Sequence, residues 1–212
     1  MNKPIDKLTG LISGVELEIE MDALIAKCDE FALVVLDIDE LFALNRDYGH
    51  GAGDDVFRLI AKHIGTVFPE PCLAFRDKRD EFKILLPSCG KEKAFLKAEQ
   101  LRKLICDEKL NYVSNDGIPI KQSVSIGVSS YPEDGSRPAD ILRRADSAMV
   151  RAKKSGKNLV CLAREEKLTP KTSHYTQVQL EKLTHISQKI DVGEAALLRE
   201  ALDDLLKKYD VD

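Results

Sequence analysis

Residues 5–163 alternate between runs that suit strands and stretches with apolar residues at helical spacing. Phe31-Ala32-Leu33-Val34-Val35-Leu36 is an unbroken apolar run ending in charge, the pattern of a strand buried on both faces. Gly53-Asp54-Asp55 marks a helix start, with Val56, Leu59, Ile60 and Ile64 on one face. Phe82 to Pro87 reads as a strand stopped by its proline. Glu92 to Lys109 reads as a helix with Phe95, Leu96, Ala98, Leu101, Leu104 and Ile105 turned inward. Asn115-Asp116-Gly117 is a turn signal, and Ile118-Pro119-Ile120 with Gln122 to Ser130 reads as two strands of a hairpin or meander. After a turn at Pro132 to Gly135, a helix runs from about Ala139 to Lys154, punctuated by Gly156. Leu159 to Leu162 is a last short strand. Helices and hairpins mixed in this way predict an α+β fold, one central sheet flanked by helices.

The pattern changes after residue 163. Arg164 to Ser173 is polar, contains Pro170 and reads as a linker. The expected division is therefore 1–163, a linker at 164–173, and a module at 174–212. In the module, Val178, Leu180, Leu183, Ile186 and Ile190 recur at helical spacing. Asp191-Val192-Gly193 interrupts, and a second helix carries Leu197, Leu198, Ala201, Leu202, Leu205, Leu206 and Tyr209. Two such helices cannot bury their apolar stripes alone, so they need the main domain or a second copy.

Composition narrows the class. The 212 residues are 43% hydrophobic and 32% charged, which suits a folded, soluble chain. No apolar run approaches a membrane span. Met1 to Leu8 carries Lys3, Asp6 and Lys7 and lacks the apolar centre of a secretory signal. Five scattered cysteines without metal spacing suit reduced cytoplasmic thiols. The net charge of −4 argues against a nucleic-acid binder.

Six motifs in order then resemble one family. They are Asp6-Lys7-Leu8-Thr9-Gly10-Leu11; Leu36-Asp37-Ile38-Asp39 with Asn45; Tyr48 to Asp54; Val124 to Val128; Ala145 to Met149; and Ala152 to Asn158. Together with Asp80-Glu81-Phe82 they resemble the GGDEF family of diguanylate cyclases over residues 5–163. The resemblance implies a five-stranded cyclase-type sheet with helices on both sides. In that family two GTP-loaded domains join their nucleotides into cyclic di-GMP with the help of divalent metals. It implies metal ligands at Asp37, the Ile38 carbonyl and Asp80, with Glu81 as the second turn acid. It also implies guanine readers at Asn45 and Asp54, and phosphate neutralisation by Lys153 and Lys157. From the residues alone, Asp39 fits a cap on the next helix, Asp54 fits a helix N-terminus, and Lys153 and Lys157 fit a helix C-terminus. Arg76 or Arg79 would equally serve as an ordinary partner for the turn acids.

The sequence departs from the family where phosphates should sit. Lys78 and Arg79 replace the two turn glycines. Glycine lets backbone approach a phosphate and adopt left-handed dihedrals; long side chains do neither. Phe42 stands where a lysine is usual, Val150 where an aromatic is usual, and Ser13-Gly14 where Asn-Arg is usual. The window before the turn, Pro69 to Cys72, lacks the Arg-x-x-Asp product-inhibition motif, and Gln100 falls at its supporting arginine, with Arg102 close by. Family members usually carry a sensor ahead of the catalytic domain, and only five residues precede Asp6 here. The segment from Tyr175 to Tyr209 resembles a ribbon-helix-helix unit, whose family pairs two chains and reads the major groove. Between Glu165 and Asp212, however, seven Lys or Arg face ten Asp or Glu, and the ribbon His174 to Gln179 lacks both Lys and Arg.

These observations predict a catalytically inactive regulatory adaptor in cyclic di-GMP signalling, cytoplasmic and off the membrane. It binds a protein partner and is open to cyclic di-GMP or GTP. Lys78, Arg79, Asn45, Asp54, Lys153 and Lys157 form the nucleotide-binding remnant. No cofactor is required, and magnesium enters only with a nucleotide. The C-terminal module is expected to dimerise the chain or to pack on the main domain. A residual cyclase using Asp37, Asp80 and Glu81, and a DNA-binding regulator acting through the module, are the alternatives.

Overall fold

The structure is a computed structural model that describes residues 3–76, 80–113, 119–164, 171–190 and 193–209. The Cα packing divides the chain into two compact units, 1–166 and 167–212.

The first unit is built on a mixed sheet in the order β1-β3-β4-β2-β7-β8. The strands are β1 (Ile12–Ser13), β2 (Phe31–Ile38), β3 (Leu73–Arg76), β4 (Glu81–Pro87), β7 (Val124–Tyr131) and β8 (Val160–Leu162). Five of them have three residues or more, and the two-residue β1 adds an edge beside β3. β2 is central, antiparallel to both β4 and β7, and all eight of its residues are buried. Its continuous apolar run reflects helices on both faces.

Helices α1 (Leu17–Ala26) and α5 (Pro138–Lys154) cover the face that holds Phe31, Leu33, Val35, Phe75 and Leu85. Helices α3 (His50–Val67) and α4 (Lys91–Asp107) cover the opposite face, on Ala32, Val34, Leu36, Phe82, Ile84 and Ile126. Alternate residues of each strand feed the two cores, as a strand period of two requires. At Gly127 the approach of α5 to β7 is closest. A Cβ there would lie 1.9 Å from the Ala145 carbonyl oxygen and 2.5 Å from the Met149 nitrogen.

Several local expectations are corrected. The helix placed at Gly53 begins at His50, because Gly49 at φ +82° breaks it from α2 (Leu41–Tyr48). α4 ends at Asp107, and Lys109 opens β5 (Lys109–Val113). Leu96 points outward, and the inward stripe of α4 is Ala94, Ala98, Leu101 and Ile105. β6 (Pro119–Lys121) pairs back onto β5, while β7 joins the central sheet beside β2; the expected β6–β7 hairpin does not form. The turn expected at 115–117 lies outside the described residues.

The second unit holds α6 (Gln177–Ile190) and α7 (Glu194–Lys208). Lys171 to Thr176 carries no strand, and α6 starts within the segment expected to be ribbon. The Thr184 hydroxyl on α6 donates to Glu194 Oε1 on α7 at 2.6 Å. Val178, Leu180, Ile186, Leu202, Leu205, Leu206 and Tyr209 are exposed. Part of the expected linker, 165–170, and Asp191-Val192 lie outside the described residues. Among the described residues no helix is long and apolar enough to cross a membrane.

Candidate functional site

Asp37, Asp80, Glu81 and Lys153 gather at one end of the sheet, where β2 leaves the core and β4 enters it. In the antiparallel register Asp37 lies directly opposite Glu81. Cross-strand neighbours stand about 5 Å apart, so two carboxylates there repel unless a cation intervenes. Asp37 is only 6% exposed. From the last turn of α5, Lys153 brings its ammonium to 2.7 Å from Asp37 Oδ1. That oxygen has no partner in hydrogen-bond geometry, so the contact balances charge without a directed donor. Burial pushes the Asp37 carboxyl up to about 6; Lys153 pulls against this, and nearby Asp80 and Glu81 add to it. Asp80, partly buried, sits in the bend before β4. Ile38 is buried at the last position of β2, in register with Val124.

Asp39 takes no part in capping. The residue at the α2 cap is Glu40, and no side chain caps that end. Instead Asp39 is buried and accepts from Ser125 Oγ at 2.7 Å, Ser123 Oγ at 2.7 Å and the Asn158 amide at 3.0 Å. It therefore ties the end of β2 to the loop after α5. That loop holds Lys157 and Asn158 in the left-handed region, at φ 61° and 47°, and Glu40 opposite it sits at φ 55°. Three non-glycine residues in this region are a local concentration of strain. Lys157 is ion-paired to Glu40, a contact that raises the lysine and lowers the carboxylate.

Asn45 is on α2, packed against Gly53, where a Cβ would meet its Oδ1 at 2.3 Å. The Asn45 Oδ1 is buried without a hydrogen-bond partner. Asp54 follows Gly53, half-buried in the second turn of α3, so it is not the N-terminal acid that its sequence position suggested. Phe42 is 81% exposed on the first turn of α2.

Arg76 is not a partner of the turn acids. Its Nη1 donates to Asp6 Oδ1 at 2.9 Å, and its guanidinium lies 3.9 Å from the Phe57 ring centroid. Asp6 Oδ1 also accepts from Thr9 N at 2.9 Å and Thr9 Oγ1 at 2.6 Å. Burial would raise the Asp6 carboxyl, but the Thr9 and Arg76 donors outweigh it and hold it low. Arg102 is committed elsewhere, to Glu99 at 2.9 Å and to Asn158 Oδ1 at 2.9 Å. Gln100 is exposed. Lys78 and Arg79 lie outside the described residues.

The family profile described as "Diguanylate cyclase, GGDEF domain" matches residues 4–159. The chain belongs to the GGDEF family. A ribbon-helix-helix domain profile matches residues 167–210. Among similar proteins, Diguanylate cyclase A of Treponema denticola is 34% identical over 138 residues, covering 65% of this chain and 36% of that protein. Response regulator PleD of Caulobacter vibrioides is 29% identical over 159 residues, covering 73% of this chain and 35% of that protein. This chain thus spans well under half the length of these curated relatives. Among solved structures, the coiled coil and GGDEF domain of DgcB from Caulobacter crescentus, in complex with c-di-GMP, is 28% identical with a TM-score of 0.68, covering 75% of this chain and 85% of that one. Diguanylate cyclase SiaD from Pseudomonas aeruginosa, in complex with its activator SiaC, is 26% identical with a TM-score of 0.68, covering 75% of this chain and 61% of that one.

Among the described residues no three His, Cys, Asp or Glu side chains gather closely enough to hold a metal. Asp37 carries the Lys153 ammonium. Glu81 Oε2 is 3.4 Å from Lys83 Nζ, a lysine that the family motifs did not single out. The signal was present in the sequence: Lys83 is two positions beyond Glu81 on a strand and so shares its face.

Proposed function

We propose that this GGDEF domain is a catalytically inactive regulatory adaptor in cyclic di-GMP signalling, with a protein partner and with cyclic di-GMP or a guanine nucleotide as modulator. One observation carries the reading: Lys78 and Arg79 replace the turn glycines immediately before Asp80. Exposed Phe42, in the position of a phosphate-reaching lysine, points the same way. The Asn45 Oδ1, buried beside Gly53 without a hydrogen-bond partner, supports retention of a polar contact for guanine. SiaD, bound to its activator, gives a precedent among relatives for a protein partner. The test is chromatography of the products formed from GTP and magnesium. The expected rate lies about a hundredfold or more below an active GGDEF domain, since small misplacements cost that much. Cyclic di-GMP formation that disappears in Asp80→Ala would instead establish residual cyclase activity, the reading favoured by the Asp37–Glu81 register.

The second unit supports assembly through its exposed leucines. Ribbon-helix-helix folds also bind DNA, but Glu194 places an acid at the N-terminus of α7, where a phosphate contact wants none. Truncation after Ala163 is expected to convert a dimer to a monomer in light scattering. It is expected to leave mobility shift at low salt unchanged. Sequence-specific DNA binding lost on truncation would promote the DNA-regulator reading.

A further inference from the structure

We propose that Asp39 is a positioning residue: it sets the backbone of Lys157, and so the direction from which this lysine meets a phosphate. That role presupposes the nucleotide-binding part of the function proposed above. The chain leaving α5 carries three positive φ angles in a row, Gly156 at 117°, Lys157 at 61° and Asn158 at 47°. Closing the helix accounts for the first. Gly156 lets the Lys157 amide turn back to the Ala152 carbonyl at 3.1 Å, an ordinary helix ending. That ending asks nothing left-handed of the next two residues. Asparagine visits the left-handed region readily, but a lysine stays there only where its surroundings fix it.

The fixing contact comes from the residue that follows β2. Asp39 is 3% exposed. Its Oδ2 accepts the Asn158 amide at 3.0 Å and the Ser123 hydroxyl at 2.7 Å, and its Oδ1 accepts the Ser125 hydroxyl at 2.7 Å. All three donors are neutral, and the Asp39 amide is itself bonded to the Ser123 carbonyl at 3.0 Å. A buried carboxylate short of donors is costly, so this one holds the Asn158 amide firmly. That N–H belongs to the rigid peptide unit joining Lys157 to Asn158, so holding it fixes ψ of Lys157. Arg102 Nη1 donates to Asn158 Oδ1 at 2.9 Å, a contact to the side chain and not to the peptide. Held this way, Lys157 brings its ammonium to Glu40, the residue next to Asp39.

Backbone NMR of the full chain reads the conformation, because carbon chemical shifts distinguish left-handed from right-handed residues. In wild type, left-handed shifts at Lys157 and a protected Asn158 amide are expected, and Asp39→Ala should lose both. Asp39→Asn keeps an oxygen for the amide and should resemble wild type, as should Ser123→Ala, Ser125→Ala and Arg102→Met. Left-handed shifts that persist in folded Asp39→Ala, or that vanish equally in the serine or arginine variants, would overturn the proposal. Should Asp39→Ala fail to fold by circular dichroism, wild type decides. A slowly exchanging Asn158 amide beside a left-handed Lys157 supports the proposal, and an amide exchanging like open chain overturns it. GTP titration reads the consequence. Lys157→Met and Asp39→Ala are each expected to weaken binding about tenfold, with no further loss in the double variant. Losses that add in the double variant would make Asp39 a general support of the fold and sink the positioning role. Absence of GTP binding by wild type removes the earlier nucleotide reading and the phosphate role with it; the NMR result then decides what sets the Lys157 backbone.

Discussion

Gly127→Ala should destabilise the domain by about 3 kcal/mol or more, the upper range for overpacking. The added methyl would meet the Ala145 carbonyl oxygen at 1.9 Å and the Met149 nitrogen at 2.5 Å. Both are backbone atoms of a helix, and neither can rotate away. Relief requires α5 to lift from β7, which would open contacts around the buried Ile141, Ala145 and Met149. Because α5 also carries Lys153, its displacement would free Asp37. Urea unfolding followed by circular dichroism reads the effect as a lowered midpoint. An unchanged midpoint would show that the helix–strand approach is slack.

Asp37→Asn should have the opposite sign near neutrality. Burial, the largest influence, raises the carboxyl from 3.8 to about 6, against the pull of Lys153. The folded form thus holds its proton more tightly than the unfolded chain. That contribution is complete below about pH 4 and is lost as pH rises through 6. At pH 7 the wild type therefore bears an ionised, desolvated carboxylate that the amide avoids. The variant should be about 1–3 kcal/mol more stable at pH 7, and the difference should vanish by pH 4. Lys153, at 36% side-chain exposure, can return to water when it loses its partner. Thermal melts of both proteins across this range provide the check. A variant less stable than wild type at pH 7 would mean that the ion pair outweighs desolvation.

Much of the fold was legible because its signals are local. The run from Phe31 to Leu36 announces a buried strand, and Ala139 to Lys154 announces the helix found at Pro138–Lys154, with its basic last turn. Pairing is not local, so β6 was assigned to the wrong neighbour: nothing in Pro119 to Lys121 says that it returns to β5. The start of α3 was misplaced because acids at Asp54 and Asp55 suggest a first turn, whereas the break is made by the dihedrals of Gly49. Asp37, Glu81 and Lys153 come together around the ends of β2 and α5, while Asn45 packs against Gly53 between α2 and α3. Their partners were hidden. Asp39 looked like a cap until Ser123, Ser125 and the Asn158 amide converged on it across more than eighty residues of chain. The spacing of Lys83 places it on the face of Glu81, but its burial shows only in the fold.

The tie between Asp6 and Arg76 has a practical side. The first described residues are fastened, with the Ser13 amide donating to the Pro4 carbonyl at 2.8 Å and Asp6 holding the arginine that ends β3. Arg76 Nε is buried without a partner, so this carboxylate is what steadies the guanidinium. A purification handle or fluorescent fusion at the amino end would therefore sit a few residues from the Asp6–Arg76 tie at the end of β3. Such handles belong on a flexible spacer, and a cleaved preparation should be compared with an uncleaved one before any ligand titration is interpreted.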